Sequence, residues 1–170
     1  YYRLDDSATI RVTNEMCPYL QMTGEEVLEN AHKNTNKQEY RLETLEDVLD
    51  RMIPYNIQEP NEMEEKAYVL TNSNNAFGAA LITNPDVMDH VREVIGEDYY
   101  IAPSSIHETI LVPKSMVDDP KELEDIIKSV NKSAVRRDEQ LSDHAYYYNS
   151  QDRKIEMAVK PEQEKSEYQE

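Results

Sequence analysis

One internal segment constrains the fold more than any other part of the chain, because short apolar runs alternate there with an amphipathic helical pattern. The helical pattern begins at Asn84-Pro85 and stops at Gly96. Asn is a favoured N-cap, Pro is best tolerated at the first helical position, and Gly commonly follows the last turn. Strand-like runs lie on both sides of this helix, so we predict one hairpin from residues 68–71 and 79–83 and a second from residues 99–102 and 109–112.

The same order of elements recurs further along the chain. Asp119-Pro120 begins another helix, and Leu123, Ile126, Ile127 and Val130 recur at helical spacing within it. Residues 145–148 and 154–159 then predict a third hairpin. Three hairpins alternating with two helices predict an α+β fold, a two-layer sandwich in which helices cover one face of a mainly antiparallel sheet.

The N-terminal part of the chain predicts a small helical section before this core. Residues 9–13 read as a strand, and Thr23 with Glu26 forms the capping-box pattern of a helix that runs to about residue 37. A second helical pattern covers residues 42–53 and ends at Pro54. We therefore divide the chain into a strand plus helical section (1–53), a linker (54–66), an antiparallel α+β core (67–159) and a disordered tail (160–170).

Composition excludes several classes of function. The 170 residues are 38% apolar, enough for a core, but no apolar run has the length of a membrane helix. The formal charge of −17 provides no basic face for nucleic acid and would steer a basic partner protein instead. With three Gly, a glycine-rich phosphate loop is excluded, and the lone Cys17 cannot form an internal disulfide. The four His are scattered, so we expect no metal site, and we expect no cofactor either. We expect a cytoplasmic protein whose partner is another protein.

Polar side chains gather at two predicted hairpin tips. On a strand, Ser105 and His107 would share one face while Glu108 lies on the other, which does not make a catalytic triad. The Gly-x-Ser-x-Gly pattern of a nucleophile elbow is also absent. We therefore assign no catalytic residue and treat the tips as a candidate surface or ligand site. Its members are Asn72, Asn74, Asn75, Ser104, Ser105, His107 and Glu108.

Tyrosine is unusually frequent, with 12 Tyr against one Phe. Tyr99-Tyr100 and Tyr146-Tyr147-Tyr148 fall in predicted strands. Tyrosines on an open sheet face would give a recognition surface, since each combines apolar area with a polar tip. Tyrosine is also a common strand residue that reaches water from a half-buried position, so the pattern leaves both interpretations open.

Residues 67–72, 78–80 and 100–113 together resemble a domain family of unknown function from gut Firmicutes, whose members often lie in mobile elements. The resemblance extends over most of residues 8–159 and suggests the C-terminal part of such a protein. It implies no activity and carries no ligand residues. We therefore expect a non-enzymatic intracellular protein-interaction or regulatory domain of open oligomeric state. The alternatives are a hydrolase-like enzyme centred on the tips near Ser104–Glu108 and a small-ligand binder on a tyrosine-rich sheet face.

Overall fold

The computed structural model describes residues 1–3, 8–52, 66–103 and 105–160. The chain divides into two compact units, Tyr1–Gln38 and Glu39–Glu170. This division falls earlier than the predicted linker. That linker (apart from Lys66), the tail beyond Lys160 and Ser104 lie outside the described residues.

The first unit contains short elements and one longer helix. The capping box predicted for that helix is confirmed: Thr23 Oγ1 accepts the amide of Glu26 at 3.2 Å, and the Thr23 amide donates to Glu26 Oε2 at 2.7 Å. The strand predicted for residues 9–13 is only two residues long. The elements are β1 (Tyr2–Arg3), β2 (Thr9–Ile10), a 3-10 helix (Asn14–Met16), α1 (Cys17–Leu20) and α2 (Gly24–Thr35), with β1 and β2 antiparallel.

The second unit is built on a six-stranded sheet in the order β3-β4-β6-β5-β7-β8, and every neighbouring pair is antiparallel. The α+β class and the antiparallel sheet are therefore confirmed. The strands are β3 (Tyr40–Thr44), β4 (Tyr68–Asn72), β5 (Tyr99–Ala102), β6 (Thr109–Pro113), β7 (Tyr146–Asn149) and β8 (Lys154–Met157). The helices are α3 (Leu45–Met52), α4 (Pro85–Ile95) and α5 (Pro120–Ser133), with 3-10 helices at Gly78–Thr83 and Lys114–Met116.

Two predicted elements are wrong. Residues 79–83 form a 3-10 helix and not a strand, because the amides of Gly78 and Ala79 bond to the turn before β6 and turn this segment away from β4. Residues 42–44, predicted as the start of a helix, belong to β3, since Leu42 pairs with Leu70 of β4. The helix starts only at Leu45, where the side chain of the preceding Thr44 accepts the Asp47 amide at 3.2 Å.

The helix α4 covers one face of the sheet. Val87, Met88 and Val91 are buried against Ile101 and other side chains of the central strands. Val94, in the last turn of the same helix, is 46% exposed. The ends of α4 are as predicted. Asn84 Oδ1 accepts the Asp86 amide at 3.0 Å, and Gly96 follows the last turn with a φ of 86°.

The helix α5 lies against the opposite face. Its Ile127 packs with Ala102 of β5 and with Ala145, whereas the α4 cluster contains the adjacent Ile101. Neighbouring residues of a strand point to opposite faces, so the two helices lie on different sides of the sheet. The prediction that the helices cover one face is corrected here to helices on both faces.

Candidate functional site

The two polar tips that the sequence singled out lie against each other. The loop 72–78 follows β4, and the turn 105–108 connects β5 to β6. Gly78 donates its amide to the carbonyl of His107 at 3.0 Å, and Thr71 Oγ1 donates to the same carbonyl at 2.9 Å. We call this contact between loop 72–78 and turn 105–108 the junction.

Asn72 organises the loop half of the junction from a buried position. Its Oδ1 accepts the amides of Asn74 and Ala76, each at 3.2 Å, and its Nδ2 donates to the carbonyl of Ala76 at 2.7 Å. Asn75, with a φ of 52°, accepts a hydrogen bond from Arg41 through its own Oδ1. These asparagines shape the loop, and Asn74 itself is exposed.

His107 is held on both sides of its ring. The Phe77 amide donates to Nδ1 at 3.3 Å, and Nε2 lies 3.7 Å from Glu139 Oε1. The Phe77 ring packs against the imidazole at 5.5 Å between centroids. Because Nδ1 accepts a hydrogen bond, the neutral imidazole carries its proton on Nε2, facing the carboxylate. Sequence reasoning missed Phe77 and Glu139 as neighbours of His107, because both lie far from it along the chain.

Ser105 does not engage the imidazole. Its Oγ accepts the main-chain amide of His107 at 3.0 Å, and its backbone forms a bridge with Gln140. Both ring nitrogens of His107 face other groups, so the described residues of the junction hold no hydroxyl bonded to a base, as nucleophilic catalysis requires. Glu108 is exposed, and Ser104 is outside the described residues.

Gly78 stands at the closest approach of the two halves of the junction. A Cβ at this position would lie 2.6 Å from the amide nitrogen of Asn72, from the carbonyl of His107 and from Thr71 Oγ1. The absence of a side chain is what allows the loop and the turn to contact each other through their main chains.

Three tyrosines of β5 and β7, Tyr99, Tyr100 and Tyr148, are core residues. Tyr99 and Tyr148 are almost fully buried and stack at 5.2 Å, and Tyr100 is 9% exposed beside Tyr147. The hydroxyl of Tyr99 donates to the carbonyl of Met88 at 3.0 Å. These side chains therefore hold helix and sheet together, and they do not form an open recognition face on the described sheet.

Two tyrosine hydroxyls bond to carboxylates. Tyr148 donates to Asp89 Oδ1 at 2.5 Å, and Tyr147 donates to Asp98 Oδ2 at 2.7 Å. Two effects raise the pKa of each phenol to about 12: burial is the larger, and the hydrogen bond to the carboxylate is the second. The pKa of Asp98 is lowered, since hydrogen bonds from Ser150 and Tyr147 outweigh the opposing effect of burial. Each pair thus favours the neutral phenol, and the lowered pKa of Asp98 favours the charged form of that carboxylate.

The helix α5 buries a polar face in place of part of its apolar stripe. Of the predicted stripe only Ile127 is fully buried, whereas Ile126 is 59% and Val130 is 37% exposed. Glu124 and Asn131 are buried instead. We call the exposed pair Ile126 and Val130 the outer stripe of α5.

Hydrogen bonds hold the buried polar face of α5, although Asn131 Oδ1 has no partner among the described residues. Glu124 accepts from Lys128 Nζ at 2.7 Å and lies 3.2 Å from His144 Nδ1. The hydrogen bond from Lys128, together with His144, lowers the pKa of Glu124 despite its burial. Asn131 Nδ2 donates to Ser142 and to Asp143 at 2.9 and 2.6 Å. The contacts with Ser142, Asp143 and His144, which lie outside the helix, fix the rotation of α5 about its axis and leave the outer stripe facing away from the sheet.

Among residues 1–3, 8–52, 66–103 and 105–160, no three His, Cys, Asp or Glu side chains are grouped as metal ligands would be. In the same residues, no helix has both the length and the apolar composition needed to span a membrane.

Comparison with known proteins gives one result. Residues 2–150 match DUF5688, a family of unknown function. No curated protein and no solved structure matches the chain. Since the match covers most of the 170 residues, the chain belongs to the DUF5688 family.

Proposed function

We propose that this chain is an intracellular, non-enzymatic protein-interaction domain, and that the outer stripe of α5 carries the contact. The observation that supports the proposal is the rotation of α5. The helix exposes Ile126 and Val130 while it buries Glu124 and Asn131. A helix that only stabilised the sheet would bury its apolar residues and leave its charged ones in water.

The outer stripe has the spacing of a binding surface. Ile126 and Val130 are one helical turn apart and therefore lie next to each other on the same side of α5. Covering them with a partner's apolar surface removes that area from water and stabilises the complex by about 25 cal/mol per Å² of apolar surface buried. Rotating α5 to bury them internally would break the contact of Glu124 with His144 and the bonds of Asn131 to Ser142 and Asp143. Partner binding is the route that keeps both sets of contacts.

The charge of the chain indicates the chemistry of the partner. At −17 the chain attracts basic proteins over distances of about a Debye length, roughly 8 Å at physiological salt. A partner with apolar anchors surrounded by Lys or Arg would therefore associate faster than a neutral one.

The enzyme alternative is tested separately at the junction. Only an activated hydroxyl reacts with a fluorophosphonate probe at a useful rate, and Ser105 Oγ is bonded to a main-chain amide. We expect the probe to label neither the parent nor His107→Ala. Labelling of Ser104 or Ser105 that disappears in His107→Ala would make catalysis the better account.

The interaction is tested by removing the outer stripe. Tagged parent protein and the double variant Ile126→Ser/Val130→Ser are isolated from the source cells, and bound proteins are quantified by mass spectrometry. We expect a near-stoichiometric partner with the parent and at least a tenfold loss with the variant. The control is Met116→Ser, which removes an apolar side chain of similar exposure (41%) outside α5. Equal recovery with all three proteins, or recovery with none, would overturn the proposal.

A further inference from the structure

The strand β8 is an edge strand of the described sheet. It is last in the strand order and, among the described residues, pairs only with β7. The Ala158 amide donates to the carbonyl of Ala145, so Ala145 and Ala158 form a hydrogen-bonded pair between the strands. Tyr147 and Glu156 lie two residues further along each strand and therefore form the next hydrogen-bonded pair. Antiparallel pairs alternate between bonded and non-bonded, so the main-chain groups of Ile155 and Met157 point away from β7. Within the described part of the chain, nothing bonds to these outward groups.

The side chains of β8 divide between two faces. Ile155 packs at the margin of the α4 cluster, and Met157, two residues further along the strand, points to the same face of the sheet. Lys154 and Glu156 lie on the opposite side, and both are exposed. Neither makes an ion pair with another described residue. The edge therefore offers one positive and one negative side chain, two residues apart, beside unpaired main-chain groups.

This pattern is complementary to itself. If two copies pair antiparallel with Ile155 opposite Ile155, Lys154 of each copy faces Glu156 of the other, and opposite charges in such positions stabilise a sheet. A register centred on Glu156 would also match the outward groups, but it places the two carboxylates directly opposite each other. The left-handed Arg153, with a φ of 51°, ends the strand before Lys154 and leaves little room for longer registers.

The other edge, β3, is less suited to this pairing. Its charges already have partners within the chain. Glu43 receives two bonds from Arg51, at 2.5 and 2.9 Å, and Arg41 bonds to Asn75. Every residue of β3 is also half-buried, whereas three of the four residues of β8 are exposed.

We propose that two copies of this chain associate through antiparallel pairing of their β8 strands, centred on Ile155, which joins the two sheets into one. The two-fold arrangement uses the same strand on both copies, so the assembly closes as a dimer. The contact is short, and both copies carry a charge of −17, so we expect a weak dimer that forms at high protein concentration and moderate salt. This surface differs from the outer stripe of α5, and the inference goes beyond the proposed function.

Charge exchange at the edge tests the proposal. Sedimentation equilibrium is measured from about 10 μM to about 1 mM, a range chosen because short, charged contacts give weak affinities. We expect a monomer–dimer equilibrium for the parent and at least a tenfold weaker one for Glu156→Lys and for Lys154→Glu, since each variant places like charges opposite each other. The double variant Lys154→Glu/Glu156→Lys restores opposite charges in the same register and should recover the parent's dissociation constant.

The control changes the net charge without touching the edge. Glu122→Lys changes the net charge by the same amount as Glu156→Lys, but at an exposed position of α5. This variant should dimerise at least as well as the parent. Circular dichroism confirms that each variant is folded. A parent that stays monomeric, an unaffected Glu156→Lys, or a double variant that fails to recover would overturn the proposal. Species larger than a dimer would also overturn it, because they would indicate pairing of β8 with β3 in an open array. The α5 variant Ile126→Ser/Val130→Ser should dimerise normally, which separates this result from that of the proposed function.

Discussion

Replacing Gly78 with Ala is expected to be the most damaging single-methyl change in the junction. The new Cβ would lie 2.6 Å from two main-chain atoms, the Asn72 nitrogen and the His107 oxygen, and from Thr71 Oγ1. Overpacking of this kind costs about 1–3 kcal/mol. Separating the two halves of the junction also lengthens the bonds of Gly78 and Thr71 to the His107 carbonyl, each worth about 1 kcal/mol. We therefore expect the free energy of unfolding to fall by about 2–4 kcal/mol.

The assay is urea unfolding followed by circular dichroism, and the other two glycines are the controls. Gly96→Ala has open space around the new Cβ but a φ of 86°, so it should cost about 1 kcal/mol from backbone strain alone. Gly24→Ala meets nothing closer than 3.9 Å at the start of α2 and should be neutral or gain up to about 1 kcal/mol. A loss for Gly78→Ala below that of Gly96→Ala would refute the close approach on which the junction depends.

Three further predictions follow from the core, the C-terminal residues and the tyrosines. Val91 is fully buried, so Val91→Asp should lower the free energy of unfolding by at least about 3 kcal/mol. The control Val94→Asp, at a 46% exposed position of the same helix, should lower it by under about 1 kcal/mol. Urea unfolding measures both changes. Truncation after Val159 should change stability by no more than about 0.5 kcal/mol, and a larger loss would show that the removed residues contribute. The phenols of Tyr147 and Tyr148 have a pKa raised from 10.0 to about 12, so their contribution to the free energy of unfolding is complete below pH 10 and is lost as the pH rises through 12. Urea unfolding measured over a pH series should show this loss of stability, and Tyr147→Phe should make the loss smaller.

The sequence was most informative where the chemistry is local. Thr23 with Glu26, Asn84 with Pro85, and Asp119 with Pro120 each mark a helix start within a few residues, and all three caps are present in the structure. The second and third predicted hairpins are also confirmed as β5–β6 and β7–β8. Caps and tight strand pairs depend on neighbours in the chain, so a single sequence contains their signals.

The predictions failed where distant groups decide the outcome. Residues 79–83 look like a strand, but amide bonds to Ile106 and His107 make the segment a 3-10 helix. Helical periodicity identified the apolar stripe of α5 but could not show its rotation, because the partner that holds Glu124, His144, lies 20 residues away. The contact between the two polar tips and the approach of Glu139 to His107 depend on the same kind of long-range packing.

Site-specific photo-crosslinking from the outer stripe reports directly on whether a protein partner contacts α5. The photoreactive residue p-benzoylphenylalanine replaces Ile126 in one protein and Met116 in a control, and both proteins are irradiated in the source cells. We expect a discrete adduct with one other polypeptide from position 126 and none from position 116. No adduct at position 126, or the same adduct at both positions, would contradict the claim that this domain acts by binding a protein partner through α5.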